Sequence, residues 1–121
     1  MNNKDFKAEF NNRLIEFSLK IIALCRELRK DSNLWPISDQ LIRSATSIGA
    51  NIIEARACGT KKDYINFFQI ALKSSNETEY WLILIEKSKP DIQITDLLKE
   101  NREISSILAA GLITMKNKNR F

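Results

Sequence analysis

The sequence contains no histidine, and this absence excludes several kinds of catalytic and metal site. Neither a Ser-His-Asp triad nor a Cys-His pair can form without an imidazole. The Glu-x-x-His di-iron site of helical bundles is excluded with them. Zinc sites that use histidine are excluded as well, and the two cysteines are too few for a Cys₄ site. We therefore expect no catalytic residue, no cofactor and no metal, which predicts a protein that is not an enzyme.

Glycine and proline are almost as scarce, with 3 Gly and 2 Pro in the chain. A β-rich domain needs many turns, and turns consume both residue types. The scarcity therefore favours a few long helices. A length of 121 residues with 44 % hydrophobic side chains suits one globular domain, residues 1–121, with a core of its own.

Long hydrophobic runs and signs of secretion are also lacking. The longest apolar runs fall far short of the roughly 18 residues needed to cross a bilayer. The first residues are polar, and no signal-peptide apolar run follows them. These features predict a soluble, cytoplasmic protein with no membrane partner. Cys25 and Cys58 are then expected to be small, reduced, buried residues, because nothing in the sequence supports a disulfide.

Apolar side chains recur at spacings of three and four residues along four segments, the pattern of amphipathic helices. Pro36 and Gly59 mark helix ends, and Thr60 with Asp63 has the spacing of an N-terminal cap. Short connections imply antiparallel neighbours, so the sequence predicts an all-α, up-down-up-down four-helix bundle. The third helix is apolar on two sides, which predicts a central position or further packing in an oligomer. The predicted helices are 5–31, 36–58, 61–89 and 96–116.

A band of polar residues on the second and third predicted helices does not fit a simple apolar stripe. Small polar side chains allow helices to approach closely and can hydrogen-bond between them, so the band is either an internal layer that sets helix register or a subunit interface or ligand groove. Both interpretations stay open at this stage. The acids of the band lack a third group that could orient them for acid–base chemistry. Its members are Arg43, Ser44, Ser47, Asn51, Glu54, Ser74, Glu77 and Trp81.

The net charge of +4, from 19 basic and 15 acidic residues, permits nucleic-acid binding. Positive charge is concentrated at two places in the sequence. If several subunits form a ring, these charges repeat around its axis, and phosphate contacts add up to salt-sensitive binding. No base-reading motif is visible, so such binding should be weakly sequence-specific. The candidate nucleic-acid-binding residues are Lys61, Lys62, Lys116, Lys118 and Arg120.

Two stretches carry a resemblance to a known family. They are Gln-Leu-Ile-Arg-Ser-Ala-Thr-Ser-Ile-Gly-Ala-Asn-Ile-Ile-Glu-Ala at 40–55, and Asp-Tyr-Ile-Asn-Phe at 63–67 with Ile-Ala-Leu-Lys-Ser at 70–74, Glu77 and Trp81-Leu82. Together they resemble the bacterial four-helix bundle proteins encoded in intervening sequences of 23S rRNA genes, often labelled ribosomal protein S23. That family is similar to the accessory variability protein of diversity-generating retroelements, a basic pentamer that binds nucleic acid and a reverse transcriptase. The resemblance implies a homopentamer, an RNA or DNA partner and a protein partner such as a reverse transcriptase. It implies no catalytic residues.

Two functional hypotheses follow from these observations. The first is a non-enzymatic, oligomeric bundle that binds RNA or DNA through repeated basic surfaces. The alternative is a protein–protein interaction scaffold without a nucleic-acid function, which the two-sided third helix and the modest net charge favour.

Overall fold

The computed structural model describes residues 3–118, and these form four long helices and one short 3₁₀ turn. The first helix packs on the second, the second on the third and the third on the fourth, whereas contact between the first and fourth is the smallest among the adjacent helix pairs. The fold is an all-α four-helix bundle, as the sequence predicts. Its elements are α1 (Asn3–Leu28), the 3₁₀ turn (Ser32–Leu34), α2 (Trp35–Ala57), α3 (Lys61–Ser88) and α4 (Thr95–Lys118).

Contacts between consecutive helices show that neighbours are antiparallel. Between α2 and α3, Ser74 bonds to Ser47 and Thr78 to Ser44, so one partner's number rises as the other's falls. Between α1 and α2, Leu14 lies beside Gly49 and Cys25 beside Ser38, which is the same antiparallel relation. Between α3 and α4, Phe68 lies beside Gly111 and Ser75 beside Asn101. The order is therefore up-down-up-down.

The helix ends agree with the prediction to within two residues, except at the end of α1. The predicted helix continues to Asp31, but α1 ends at Leu28. The Asp31 carboxylate instead accepts a hydrogen bond from the Asn33 backbone N–H at 3.0 Å and caps the 3₁₀ turn. Aspartate favours such local bonds over continued helix. At α3 the predicted cap is present, because Thr60 Oγ1 accepts from the Asp63 N–H at 3.1 Å.

The core lies between the four helices and contains one apolar stripe from each. The two-sided apolar pattern of α3 is explained by α2 and α4, which pack on its two sides. Phe17 of α1, 1 % exposed, is the largest of the fully buried side chains. The others include Leu14, Ile21, Leu28, Leu41, Ile48, Ile52, Leu82, Ile85, Ile94, Ile104 and Leu108.

Gly49 faces α1 from the middle of α2, and the prediction that a close helix approach requires glycine there is not confirmed. A Cβ added there would lie 3.5 Å from Leu14 Cβ, an ordinary van der Waals contact. Alanine therefore fits without strain.

Both cysteines are free thiols in this fold. Cys25 lies near the end of α1 and Cys58 directly after α2, so antiparallel packing places them at opposite ends of the bundle. Burial raises the pKa of the Cys25 thiol, which donates a hydrogen bond to the Ser38 carbonyl. Within residues 3–118, no helix combines the length and the apolarity that a membrane crossing requires.

Candidate functional site

Most of the predicted nucleic-acid-binding residues come together at one end of the bundle. The start of α1, the end of α2, the start of α3 and the end of α4 all lie there because neighbouring helices are antiparallel. Lys61 and Lys62 open α3, and Lys116 lies in the last turns of α4. We call this end, formed by residues 4–10, 54–64 and 110–118, the basic end. Lys118 is the last residue of α4, and Arg120 lies outside the described residues.

Some cations of the described chain form ion pairs, and two lysines of the basic end do not. Lys62 and Lys116 are exposed, and neither forms an ion pair with any carboxylate in the described part of the chain. At the opposite end, Arg29 pairs with Asp39 at 2.7 Å, and Lys30 with Glu27 at 3.0 Å. Lys62 and Lys116, which no described carboxylate pairs with, are therefore available to an anionic partner. Acids of the basic end are Asp5, Glu9, Glu54 and Asp63.

A cavity of about 450 Å³ opens at the basic end, among the ends of all four helices. Two stacked aromatic pairs line it. Phe6 and Phe10 of α1 have ring centroids 6.2 Å apart, and Tyr64 and Phe68 of α3 have centroids 5.0 Å apart. Thus an open apolar cavity with four rings lies beside the predicted basic residues.

Arg56, near the end of α2, is the half-buried charged group of this cavity. Its guanidinium lies over the Tyr64 ring at 5.9 Å and over the Phe68 ring at 5.7 Å, and Nη1 donates to the Tyr64 hydroxyl. Its Nε is buried and has no hydrogen-bond partner within the described chain. Nothing in the sequence identified Arg56, because its environment is assembled from separate helices.

Four members of the polar band form a hydrogen-bonded layer between α2 and α3. Ser74 donates to the Ser47 hydroxyl at 3.0 Å, and the Asn51 amide donates to the same hydroxyl at 2.9 Å. One to two turns away, Thr78 donates to the buried hydroxyl of Ser44 at 2.9 Å. These bonds satisfy groups that would otherwise be costly to bury.

The other four members of the band lie outside this layer. Arg43, Glu54 and Glu77 are exposed, and Trp81 is half-buried. The Trp81 indole donates to the Glu77 carboxylate at 3.0 Å, one turn away on the same helix. The band therefore divides into an internal layer and separate surface residues.

A second polar cluster, between α3 and α4, was not identified from the sequence. Asn101 is fully buried, and its amide donates to the Ser75 carbonyl at 2.9 Å while its Oδ1 accepts from the Ser75 hydroxyl at 3.0 Å. Ser105 also bonds to the Ser75 hydroxyl. The signal was present, because Asn101 occupies a stripe position between Leu97 and Ile104, where an apolar residue is expected.

Arg13 links α1 to α4, the adjacent helix pair with the least contact. Its guanidinium donates to both Glu100 oxygens, at 2.6 and 2.7 Å, and to Glu103 at 2.7 Å. The hydrogen bond from Arg13 lowers the pKa of Glu100. Because the pKa of Glu100 is lower in the folded protein, the ion pair stabilises the fold fully at pH values above the ordinary pKa of glutamate. This stabilisation is lost as the pH falls through the pKa that Glu100 has in the folded protein.

Replacing Glu100 by glutamine should lower the free energy of unfolding at pH 7 by about 1 kcal/mol, discounted for the partial exposure of both side chains. The difference from the wild type should shrink below about pH 4.3, where the carboxyl group protonates in the unfolded chain. Urea unfolding at pH 7 and pH 3 measures both effects. Glu27→Gln, which removes an exposed ion pair with Lys30 just beyond the end of α1, is the matched control and should change little. An equal loss in both variants at pH 7 would contradict the prediction.

An apolar groove of about 230 Å³ runs between α1 and α2 on the outside of the bundle. Ile15 and Leu19 of α1 and Ile53 of α2 line it, and each is about half exposed. Gly49 forms part of its floor. Contiguous exposed apolar side chains of this kind often mark protein interfaces.

Metal-ligating side chains are scattered. Within residues 3–118, no three Cys, Asp or Glu residues lie close enough together to hold a metal ion. Glu54 and Glu77, the acids of the polar band that were considered for acid–base chemistry, belong to different helices.

Comparison with known proteins gives both a family and a structural relative. The family model described as 23S rRNA-intervening sequence protein matches residues 7–110. A similar solved structure is a protein with unknown function from the S23 ribosomal protein family of Bacteroides thetaiotaomicron. It is 35 % identical, with a TM-score of 0.79, over 84 % of this chain and 96 % of that one. No curated protein matches the chain.

Proposed function

Because the chain belongs to the 23S rRNA-intervening sequence protein family, we propose that it is a non-enzymatic, homo-oligomeric bundle that binds RNA or DNA through its basic end. The family description refers to where such proteins are encoded and names no reaction. The proposal therefore depends on the charges and surfaces of this chain.

The observation that carries the proposal is the presence, at the basic end, of two lysines that form no ion pair within the described chain. Lys62 and Lys116 are far apart in sequence but lie at the same end, and no described carboxylate pairs with them. Such cations can neutralise phosphates and release the counterions condensed on a nucleic acid. Since phosphates carry no sequence information, the expected binding is strongly salt-dependent and weakly sequence-specific.

Oligomerisation would multiply these contacts. The resemblance noted from the sequence implies five copies, and the exposed Ile15, Leu19 and Ile53 provide apolar surface for contact between subunits. A homopentamer presents five basic ends, so a weak phosphate contact in one subunit is repeated within the same assembly.

Binding to structured RNA and to duplex DNA across a salt series tests the nucleic-acid part. The variant Lys62→Glu/Lys116→Glu should bind at least ten-fold more weakly at low salt and show a shallower dependence of log K on log salt concentration. Lys87→Glu/Lys99→Glu, with the same charge change at the opposite end, is the matched control and should stay near the wild type. Equal losses in both variants, or no salt-dependent binding by the wild type, would refute the proposal.

Light scattering on the same wild-type sample tests the assembly. The expected species has about five times the 14.0 kDa mass of one chain. Ile53→Glu introduces a charge into the groove and should shift the mass towards a single chain, whereas Glu54→Gln, at the adjacent exposed position, should not. A clean wild-type monomer would exclude the oligomer. If it also bound no nucleic acid, the scaffold hypothesis would replace the proposed function.

A further inference from the structure

The cavity at the basic end contains a cation with no anionic partner among residues 3–118. Arg56 forms no ion pair with a carboxylate of the described chain, and its Nε is buried without a hydrogen-bond acceptor. The aromatic faces and the Tyr64 hydroxyl hold the guanidinium but supply no negative charge. Partial burial of an unpaired charge is unfavourable, and an entering anion would offset that cost.

The remaining lining determines what kind of anion fits. Lys7 adds a second cation, and none of the described lining residues is acidic. The walls are largely apolar, with four aromatic rings, and Ala110 of α4 contributes a small side chain beside them. An apolar group that carries an acid is therefore complementary to this cavity in both polarity and charge.

A nucleotide has these two parts, and the surroundings of the cavity favour it. A volume of about 450 Å³ lies within the ordinary range of small-ligand pockets. The cavity opens among the same helix ends that carry Lys62 and Lys116. Proteins commonly receive unpaired bases on aromatic side chains and arginine planes.

We propose that this cavity receives one unpaired nucleotide of a bound single strand, with its base against the aromatic rings and its phosphate beside Arg56. This inference rests on the proposed function and adds to it a preference for unpaired over fully paired nucleic acid. Stacking requires a free base face, and a base within a duplex does not offer one. Every base has such a face, so the cavity is compatible with weak sequence specificity.

Ala110→Phe tests the proposal without altering any charge. Ala110 is exposed and lines the cavity, so phenylalanine there fills the space for a base. Affinity for a short single-stranded RNA should fall about ten-fold, while affinity for a duplex of the same sequence stays unchanged. Ile113→Phe, at an exposed position of α4 outside the cavity lining, is the matched control. A 2-aminopurine base in the strand should change fluorescence on binding the wild type and the control, but not Ala110→Phe.

A second pair of variants keeps the test decisive if Ala110→Phe does not fold, which circular dichroism will show. Arg56→Gln should weaken single-strand binding more than Arg26→Gln, which removes the same charge near the opposite end. Unchanged single-strand affinity in Ala110→Phe, or equal losses in the two arginine variants, would overturn the cavity proposal while leaving binding at the basic end intact. A wild type that binds neither strand nor duplex overturns the proposed function and the cavity proposal together.

Free mononucleotide is the other source of the same chemistry, and AMP is the probe for it. Weak competition by AMP, with RNA affinity still sensitive to Ala110→Phe, agrees with a nucleotide that arrives as part of a strand. Tight AMP binding that Ala110→Phe abolishes, together with RNA binding that it does not affect, would assign the cavity to a free nucleotide and overturn the proposal.

Discussion

Replacing Asn101 by alanine should lower the free energy of unfolding by about 3 kcal/mol, although Asn101 is polar and belongs to the core of a helical bundle. The substitution removes two hydrogen bonds to Ser75 and leaves a cavity at a position with no solvent exposure. It also leaves the buried Ser75 hydroxyl with fewer partners. Urea unfolding at fixed protein concentration measures the change.

The same cluster offers a test of the mechanism. Replacing the whole network by apolar residues, as Asn101→Leu/Ser75→Ala/Ser105→Ala, should cost less than Asn101→Ala alone, because no buried polar side chain is left unpaired. Asn12→Ala, at an exposed position of α1, is the control and should change stability by less than about 0.5 kcal/mol. A triple variant less stable than the single one would show that the hydrogen bonds themselves, rather than their satisfaction, stabilise the α3–α4 contact.

Phe17→Ala should be the most destabilising single truncation, at about 4 kcal/mol. Phe17 is 1 % exposed and has the largest volume among the fully buried side chains, so its removal creates a large cavity with little room for collapse. Phe17→Leu should lie between alanine and the wild type, because it retains part of the volume. Thermal and urea unfolding of the three proteins give the order.

The control for this series is Phe6→Ala. Phe6 is 49 % exposed and stacks on Phe10 at the edge of the bundle. We expect a loss of about 1 kcal/mol or less there. Similar losses at the two positions would contradict the burial that distinguishes them.

Helices and their order were predictable because each depends on local spacing. Apolar periodicity located all four helices, and the Thr60 cap located the start of α3. The predicted end of α1 was wrong because the Asp31 carboxylate accepts a backbone hydrogen bond that ends the helix earlier. Apolar periodicity contains no information about such a local bond. Asn101 was missed because apolar periodicity identifies the hydrophobic residues of a stripe. A polar residue at a stripe position is noticed only if each position of the stripe is checked separately.

Sequence reasoning reached the candidate site only in part. It identified the charged residues, and the up-down-up-down order then brings Lys62 and Lys116 to one end. It did not identify Arg56 or the cavity, because residues from four helices more than a hundred positions apart form that lining. Whether Ser44, Ser47 and Ser74 would face a neighbouring helix or a ligand also depends on three-dimensional packing, which joins them across α2 and α3.

The slight contact between α1 and α4 makes stability uneven across the bundle. Its principal link is the Arg13 ion-pair cluster, which is partly exposed and therefore weakened by salt. Local opening should begin at this boundary, whereas α2 and α3, joined by the most extensive contact, should separate last. Amide hydrogens of α2 and α3 then exchange with solvent most slowly, and those two helices form the cooperative unit on which α1 and α4 dock.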